Sequence, residues 1–171
     1  MKRSYKTGLI IILQVLFLFI LIGVRYFSLS TGTPVLLKAA PEDPWDVFRG
    51  EYVRLAYDVN WIDSGDLHLG VPQNKDVYVL LERDGKYWYA AGLSVDKPEL
   101  KDDQVFIKGY INYFDEAKQQ YRVLYGIESY YVAEGTGRAL ENAGVFEVLV
   151  RVDRFGSGVI EKIAAGGGQS P

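Results

Sequence analysis

Hydrophobic positions follow two patterns along this chain. From Thr7 to Val24 no residue is charged, and Leu9–Leu13 and Val15–Ile22 are continuously apolar, interrupted only by Gln14. At about 1.5 Å per helical residue such a window covers roughly 27 Å, close to a hydrocarbon core of about 30 Å. Lys2, Arg3 and Lys6 precede it, Arg25 follows it, and Tyr26 and Phe27 suit a membrane interface. The pattern predicts a single-pass signal-anchor in the cell membrane, with a cytoplasmic N-terminus and an extracytoplasmic remainder. The competing reading is a cleaved signal peptide, whose apolar core is shorter and ends at a small-x-small site. Ser28-Leu29-Ser30 is the nearest such site here. Both readings place the later residues outside the cytoplasm. Gln14 either bonds a partner helix or satisfies itself on its own backbone.

After residue 44 the period changes to two. Within 51–60, Val53, Leu55, Tyr57 and Val59 share one face, while Tyr52, Arg54, Ala56, Asp58 and Asn60 share the other, as in a half-buried strand. Asp76–Arg83 and Lys86–Leu93 flank Asp84-Gly85, which predicts a hairpin with both turn residues at positive φ. Val105–Phe114 alternates again, and Gly109 within it signals a bulge or a close backbone approach. Asp115–Gln120 reads as a turn, Tyr121–Gly126 as a strand continued by Ser129–Val132, and Val145–Asp153 with Gly158–Ile163 as a hairpin. Thr136–Ala143 reads as a short helix capped by Thr136 and ended by Gly144. The predicted class is mainly β: one N-terminal transmembrane helix, then a barrel-like or sandwich-like domain with one short helix. The expected boundaries are 1–29 for the cytoplasmic tip and anchor, 30–44 for a linker carrying Pro34, Pro41 and Pro44, 45–163 for the β domain, and 164–171 for a disordered tail.

Charge sharpens this division. The chain has 19 basic and 22 acidic residues, and the four bases of the first 25 residues stand without an acid. The remainder is therefore acidic, which disfavours a general nucleic-acid binder. With no cysteine there are no disulfides, thiolate metal sites or cysteine nucleophiles. A single histidine, His68, excludes any site that needs two imidazoles. His68 lies near Asp63 and Asp66, but the spacing matches no standard metal loop and turns attract aspartate anyway. No cofactor is expected.

Two stretches carry a resemblance. Gly50-Glu51-Tyr52-Val53-Arg54-Leu55-Ala56-Tyr57 resembles the signature of the bacterial family named for its GDYXXLXY motif, with Glu51 in place of the motif's aspartate. The lead-in 43–49 and the run from Tyr125 to Glu141 are also similar to that family. The resemblance implies a bacterial membrane-anchored protein of uncharacterised function, with a multi-pass membrane protein as the implied partner, and it transfers no catalytic residue. The interaction candidates are Gly50, Glu51, Tyr52, Leu55 and Tyr57 in the first stretch, and Glu128, Glu134, Gly135, Gly137 and Glu141 in the second. Gly50 suits a tight turn before a strand. Asp43, Asp46 and Glu51 beside Arg49 and Arg54 read as a partner contact or as weak surface ion pairs. Gly135 and Gly137 before a helix read as an anion-receptive turn or as a plain cap, without the lysine of a P-loop.

Enzyme chemistry finds little support in these residues. A serine–lysine peptidase would use Lys108 as base, but the segment Ala39-Ala40-Pro41-Glu42-Asp43-Pro44 holds no serine where a signal peptidase carries its nucleophile. A glycosidase needs two carboxyls about 5–10 Å apart across a cleft, which abundance alone does not provide. The expected role is a non-catalytic accessory module for a membrane partner. The alternative is an envelope carbohydrate binder using surface aromatics, and an exposed cluster among Tyr87, Trp88, Tyr89, Tyr130 and Tyr131 would favour it. An envelope hydrolase, or a degenerate signal-peptidase-like protein, comes third.

Overall fold

The computed structural model describes residues 2–42, 52–64, 72–131 and 144–165. Helix α1 spans Lys2–Thr31. Ten strands follow among the described residues: β1 (Thr33–Glu42), β2 (Tyr52–Tyr57), β3 (Trp61–Asp63), β4 (Asp76–Asp84), β5 (Tyr87–Ser94), β6 (Gln104–Asp115), β7 (Gln120–Leu124), β8 (Ser129–Tyr131), β9 (Phe146–Val152) and β10 (Gly158–Ala165). They form two antiparallel five-stranded sheets, in the orders β10-β9-β1-β2-β8 and β3-β7-β6-β4-β5. The fold is mainly β, with two curled sheets enclosing one core. Register breaks at Ala91, Asn112 and Glu161 mark bulges that bend β5, β6 and β10.

Alternation builds the core as the sequence pattern predicts. Val53, Leu55, Tyr57 and Val59 are all buried, and so are Val77, Val79 and Leu81 of β4 and Phe146, Val148, Val150 and Val152 of β9. Each fully buried Val or Leu is worth about 1.5–3 kcal/mol over its exposed state. Gly109 is a close-approach glycine. A Cβ there would lie 2.7 Å from the Leu124 carbonyl oxygen, while the bulge itself falls three residues later, at Asn112.

Several expectations need correction. Most of the linker expected over 30–44 is strand: Thr33–Glu42 form β1, which lies third in its sheet with Val35, Leu37 and Ala39 buried inward, while Pro44 lies outside the described residues. The prolines misled because proline opposes central strands, and the structure accommodates them by stagger. β9 pairs with Thr33–Ala39 and β2 with Ala39–Glu42. Pro34 and Pro41 therefore each lie where only one neighbouring strand is paired, and a missing N–H costs least there. Only Gly32 separates α1 from β1.

The strand expected over 51–60 stops at Tyr57. Asp58–Asn60 form a 3-10 turn, and the chain then enters the second sheet as β3. The β4–β5 hairpin also turns one residue later than expected. Asp84 still pairs with Tyr87, and of the loop residues Gly85 and Lys86 only Gly85 has positive φ, at 58°. This is the pattern of a II′ turn. β8 does not continue β7: Gly126, at φ 78°, sits in a corner that carries the chain back to the first sheet. Ala164 and Ala165 belong to β10 rather than to a tail. The helix expected over 136–143 lies outside the described residues.

Among the described residues no helix is long and apolar enough to cross a membrane. The continuously described apolar part of α1 runs from Gly8 to Gly23, and its large side chains from Leu9 to Ile22 are exposed.

Candidate functional site

The two stretches singled out in the sequence meet at one corner. β2 pairs with β8 in the register Tyr52↔Tyr131, Val53↔Tyr130 and Arg54↔Ser129. Just beyond, the Leu55 N–H donates to the Glu128 carbonyl oxygen at 2.7 Å. Leu55 and Tyr57 point into the core at 1% exposure each. The Tyr57 hydroxyl donates to the Ile127 carbonyl oxygen at 2.8 Å. Asn60, itself buried, ties the parts together: its Oδ1 accepts from the Tyr57 N–H at 2.6 Å, and its Nδ2 donates to the Val123 carbonyl oxygen at 2.7 Å. Tyr125 reciprocates by donating its hydroxyl to the Val59 carbonyl oxygen.

Glu128 completes the corner. Its carboxylate accepts from the Tyr125 N–H at 2.6 Å and the Gly126 N–H at 2.8 Å, with Asn60 Nδ2 at 3.4 Å. Burial, with the Glu128 charge adding to it, raises both the Tyr57 and the Tyr125 phenols far above their ordinary range. They are neutral donors at every physiological pH. The carboxylate is spent on backbone amides and both hydroxyls on carbonyls, so the arrangement fixes a strand crossing between sheets. It presents no activated nucleophile.

Of the ten candidate residues, the structure therefore brings together Leu55, Tyr57 and Glu128, and aligns Tyr52 beside them through its backbone. Gly50, Glu51, Glu134, Gly135, Gly137 and Glu141 lie outside the described residues, as do Asp66 and His68. Sequence reasoning missed Asn60 and Tyr125. Alternation alone puts Asn60 at the outward end of a strand, and the signal that it turns inward is that an asparagine there can cap a reversal.

A cleft of about 360 Å³ opens beside this corner, lined by Lys38, Asp58, Trp61, Asp84, Tyr87, Trp88 and Tyr89 among others. It lies between β3 and β5, the two edges of the second sheet, with β1 of the first sheet contributing Lys38. It gathers part of the aromatic cluster foreseen for a carbohydrate binder. However, cations lie over two of its rings: Lys38 Nζ lies 4.4 Å and Lys86 Nζ 4.8 Å from the Tyr87 ring centre, and Lys118 and Arg122 lie 5.1 and 5.2 Å from that of Trp61. A latch ties down Tyr87, where Glu147 Oε1 accepts from Lys86 Nζ at 2.8 Å and from the Tyr87 hydroxyl at 2.7 Å. These hydrogen bonds, Lys86 first, hold the Glu147 carboxyl below its usual range.

Lys108 is not placed as a catalytic base. Its exposed ammonium pairs with Asp76 at 3.3 Å, whereas a base lysine needs burial to lose its proton. Among the described residues no group of three or more His, Asp or Glu side chains converges as a metal site would require.

A protein-family model described as "GDYXXLXY protein" matches residues 14–163. The chain belongs to that family. No curated protein and no solved structure matches it.

Proposed function

We propose that this GDYXXLXY-family chain is a membrane-anchored, non-catalytic accessory module. In this reading α1 crosses the membrane, and the β domain stands outside it to engage an integral membrane partner. The observation that carries the reading is α1 itself. It is 30 residues long, and its apolar side chains from Leu9 to Ile22 are exposed in an unbroken sequence run, interrupted only by Gln14, rather than along one stripe. A helix apolar on every side needs either a protein core or lipid around it, and here no core surrounds it. The bases Lys2, Arg3 and Lys6 ahead of the apolar stretch, against Arg25 alone just after it, favour an N-terminus inside. The engagement of Glu128 and Lys108 in structural contacts supports a non-catalytic role.

The test is a mild-detergent pull-down of the C-terminally tagged full chain from its own membranes, read by mass spectrometry. A stoichiometric integral membrane partner is expected. It should be lost in Tyr131→Ala, since Tyr131 is 75% exposed on β8 opposite Tyr52. Recovery of the protein alone would overturn the accessory reading.

The ring-lined cleft favours a second reading, carbohydrate binding, although a sugar stacking there must displace the ammonium groups from the ring faces. Titration with envelope glycans, followed by tryptophan fluorescence from Trp61 and Trp88, tests it. An unchanged spectrum would eliminate it.

A further inference from the structure

The structure leaves almost no chain between the helix and the domain. α1 ends at Thr31 and β1 begins at Thr33. Arg151 of β9 donates to the Gly32 carbonyl oxygen at 3.2 Å, which pins the one intervening residue to the sheet. Thr33 lies opposite Val152, the last residue of β9. The turn joining β9 to β10 therefore projects past the start of β1, on the side from which α1 leaves.

This turn is built to stand out. Asp153 Oδ1 accepts from the backbone N–H groups of Phe155 and Ser157 at 2.9 and 3.0 Å. Gly156, at φ 84°, presses against the Phe106 ring, where a Cβ would meet ring carbon at 2.7 Å. Phe155 is left 59% exposed at the tip. The loop between β5 and β6 reaches the same place: Lys97 lies over the same Phe106 ring, at 5.2 Å from its centre, and Leu100 is 47% exposed. Thr31, Thr33, Leu100 and Arg154 line one shared concavity, which joins both segments to the helix exit.

We propose that these two segments form a foot that rests on the bilayer, with Phe155 and Leu100 entering the lipid headgroup layer beside the exit of α1. The proposal rests on the anchor reading above and adds a second, peripheral contact to it. Distances agree. Thr31 lies seven residues beyond Val24, the last residue of the uncharged window before Arg25, so it stands about 10 Å above the hydrocarbon edge if the helix runs straight out. Each headgroup layer is about 5–8 Å deep. A turn projecting back by one or two strand residues, at about 3.3 Å each, brings its tip into that layer.

The contact is apolar in character. The segment from Ser94 to Asp103 carries Asp96, Glu99, Asp102 and Asp103 against Lys97 and Lys101, and the other turn balances Arg154, 4.8 Å from the Phe155 ring centre, with Asp153, so anionic lipid gains no net attraction there. A neutral phosphatidylcholine surface is the partner this chemistry fits.

The chain contains no cysteine, so one nitroxide label can be placed at a chosen position in the full-length protein. Purified F155C, L100C, F17C and K118C proteins, each spin-labelled, are reconstituted into phosphatidylcholine vesicles. Their collisions with oxygen and with a water-soluble nickel complex are then compared. Lys118 lies in the turn after β6, at the opposite end of that strand from the loop bearing Leu100, and serves as the aqueous reference. The expected result is loss of nickel access at positions 155 and 100 relative to 118, with oxygen access between those of 118 and 17. Full nickel access at 155 and 100 with a protected position 17 would overturn the foot and leave the anchor standing. Full nickel access at position 17 as well would overturn both.

Discussion

The two ends of β1 meet opposite conditions. At Ala39–Glu42 the strand runs into the corner made by β2 and the 3-10 turn, where Tyr57, Asn60, Tyr125 and Glu128 form a hydrogen-bond network at the crossing between sheets. Glu42 ion-pairs there with Arg122 of the other sheet. At Thr33, nine residues and about 30 Å back along the strand from Glu42, the chain meets the end of α1, and the neighbouring segments expose Phe155 and Leu100. Polar residues are spent inward at one end, and apolar residues are left outward at the other. The difference teaches that the family signature, at least from Leu55 to Tyr57, secures architecture. The exposed apolar side chains Phe155 and Leu100 lie at the end of the domain that no motif marks.

If the corner is the structural keystone, the largest effect falls there. Tyr57→Ala should cost about 3–5 kcal/mol, the range for emptying a buried aromatic site. Tyr57→Phe should cost only about 1–2 kcal/mol, since it removes the hydroxyl alone and leaves the Ile127 carbonyl oxygen without its donor. Urea titration of the full chain in mild detergent, followed by tryptophan fluorescence, measures both, and equal losses would break the keystone account.

Glu128→Gln comes next, at about 1–3 kcal/mol in the same titration. An amide retains one acceptor oxygen for the two backbone N–H groups of Tyr125 and Gly126, and loses the charge that strengthens both bonds.

The Lys86–Glu147–Tyr87 latch is exposed and should act more weakly, with a recognisable pH signature. Glu147 has a depressed folded-state pKa, so its contribution is present above the ordinary carboxylate range and disappears as the pH falls through the lowered value. Lys86 has a raised one, so its contribution is present below the ordinary lysine range and disappears as the pH rises through the raised value. Glu147→Gln should flatten the acidic limb of the stability profile, and an unaltered limb would remove the latch from the account. The smallest effect belongs to the other end of β1. Phe155→Ser and Leu100→Ser should change stability by no more than about 0.5 kcal/mol, because both side chains already face solvent in the folded domain. A large loss at either position would mean that this end is core after all, and the contrast would collapse.

Much of the fold was legible because alternation is a local property. Val53, Leu55 and Tyr57 declare their face within a few residues, and the Asp84-Gly85 pair marks its hairpin even though the turn begins one residue later than the pair implies. β1 was not legible. Pro34 and Pro41 read as breakers in any local window, and only the staggered pairing with β9 and β2 shows that each sits beside an unpaired edge. β7 and β8 looked like one strand because the corner at Gly126 depends on Glu128 turning back to its amides. The cleft was invisible for the same reason: its lining comes from positions 38, 58, 59, 61, 84 and 87–90, on strands of both sheets and the 3-10 turn.

By itself, the sequence determined the apolar, uncharged stretch of α1, the β character of the remainder, most of its strands and the family, because composition, period and motif are carried by neighbours in the chain. The tertiary structure alone decided that most of the expected linker is a central strand, that Tyr57, Asn60, Tyr125 and Glu128 lock one corner, and that a single residue joins helix to domain. Those features depend on which strands pair and in what register. Pairing is settled by burying one shared core and satisfying every buried polar group at once, a condition that no local stretch of sequence contains.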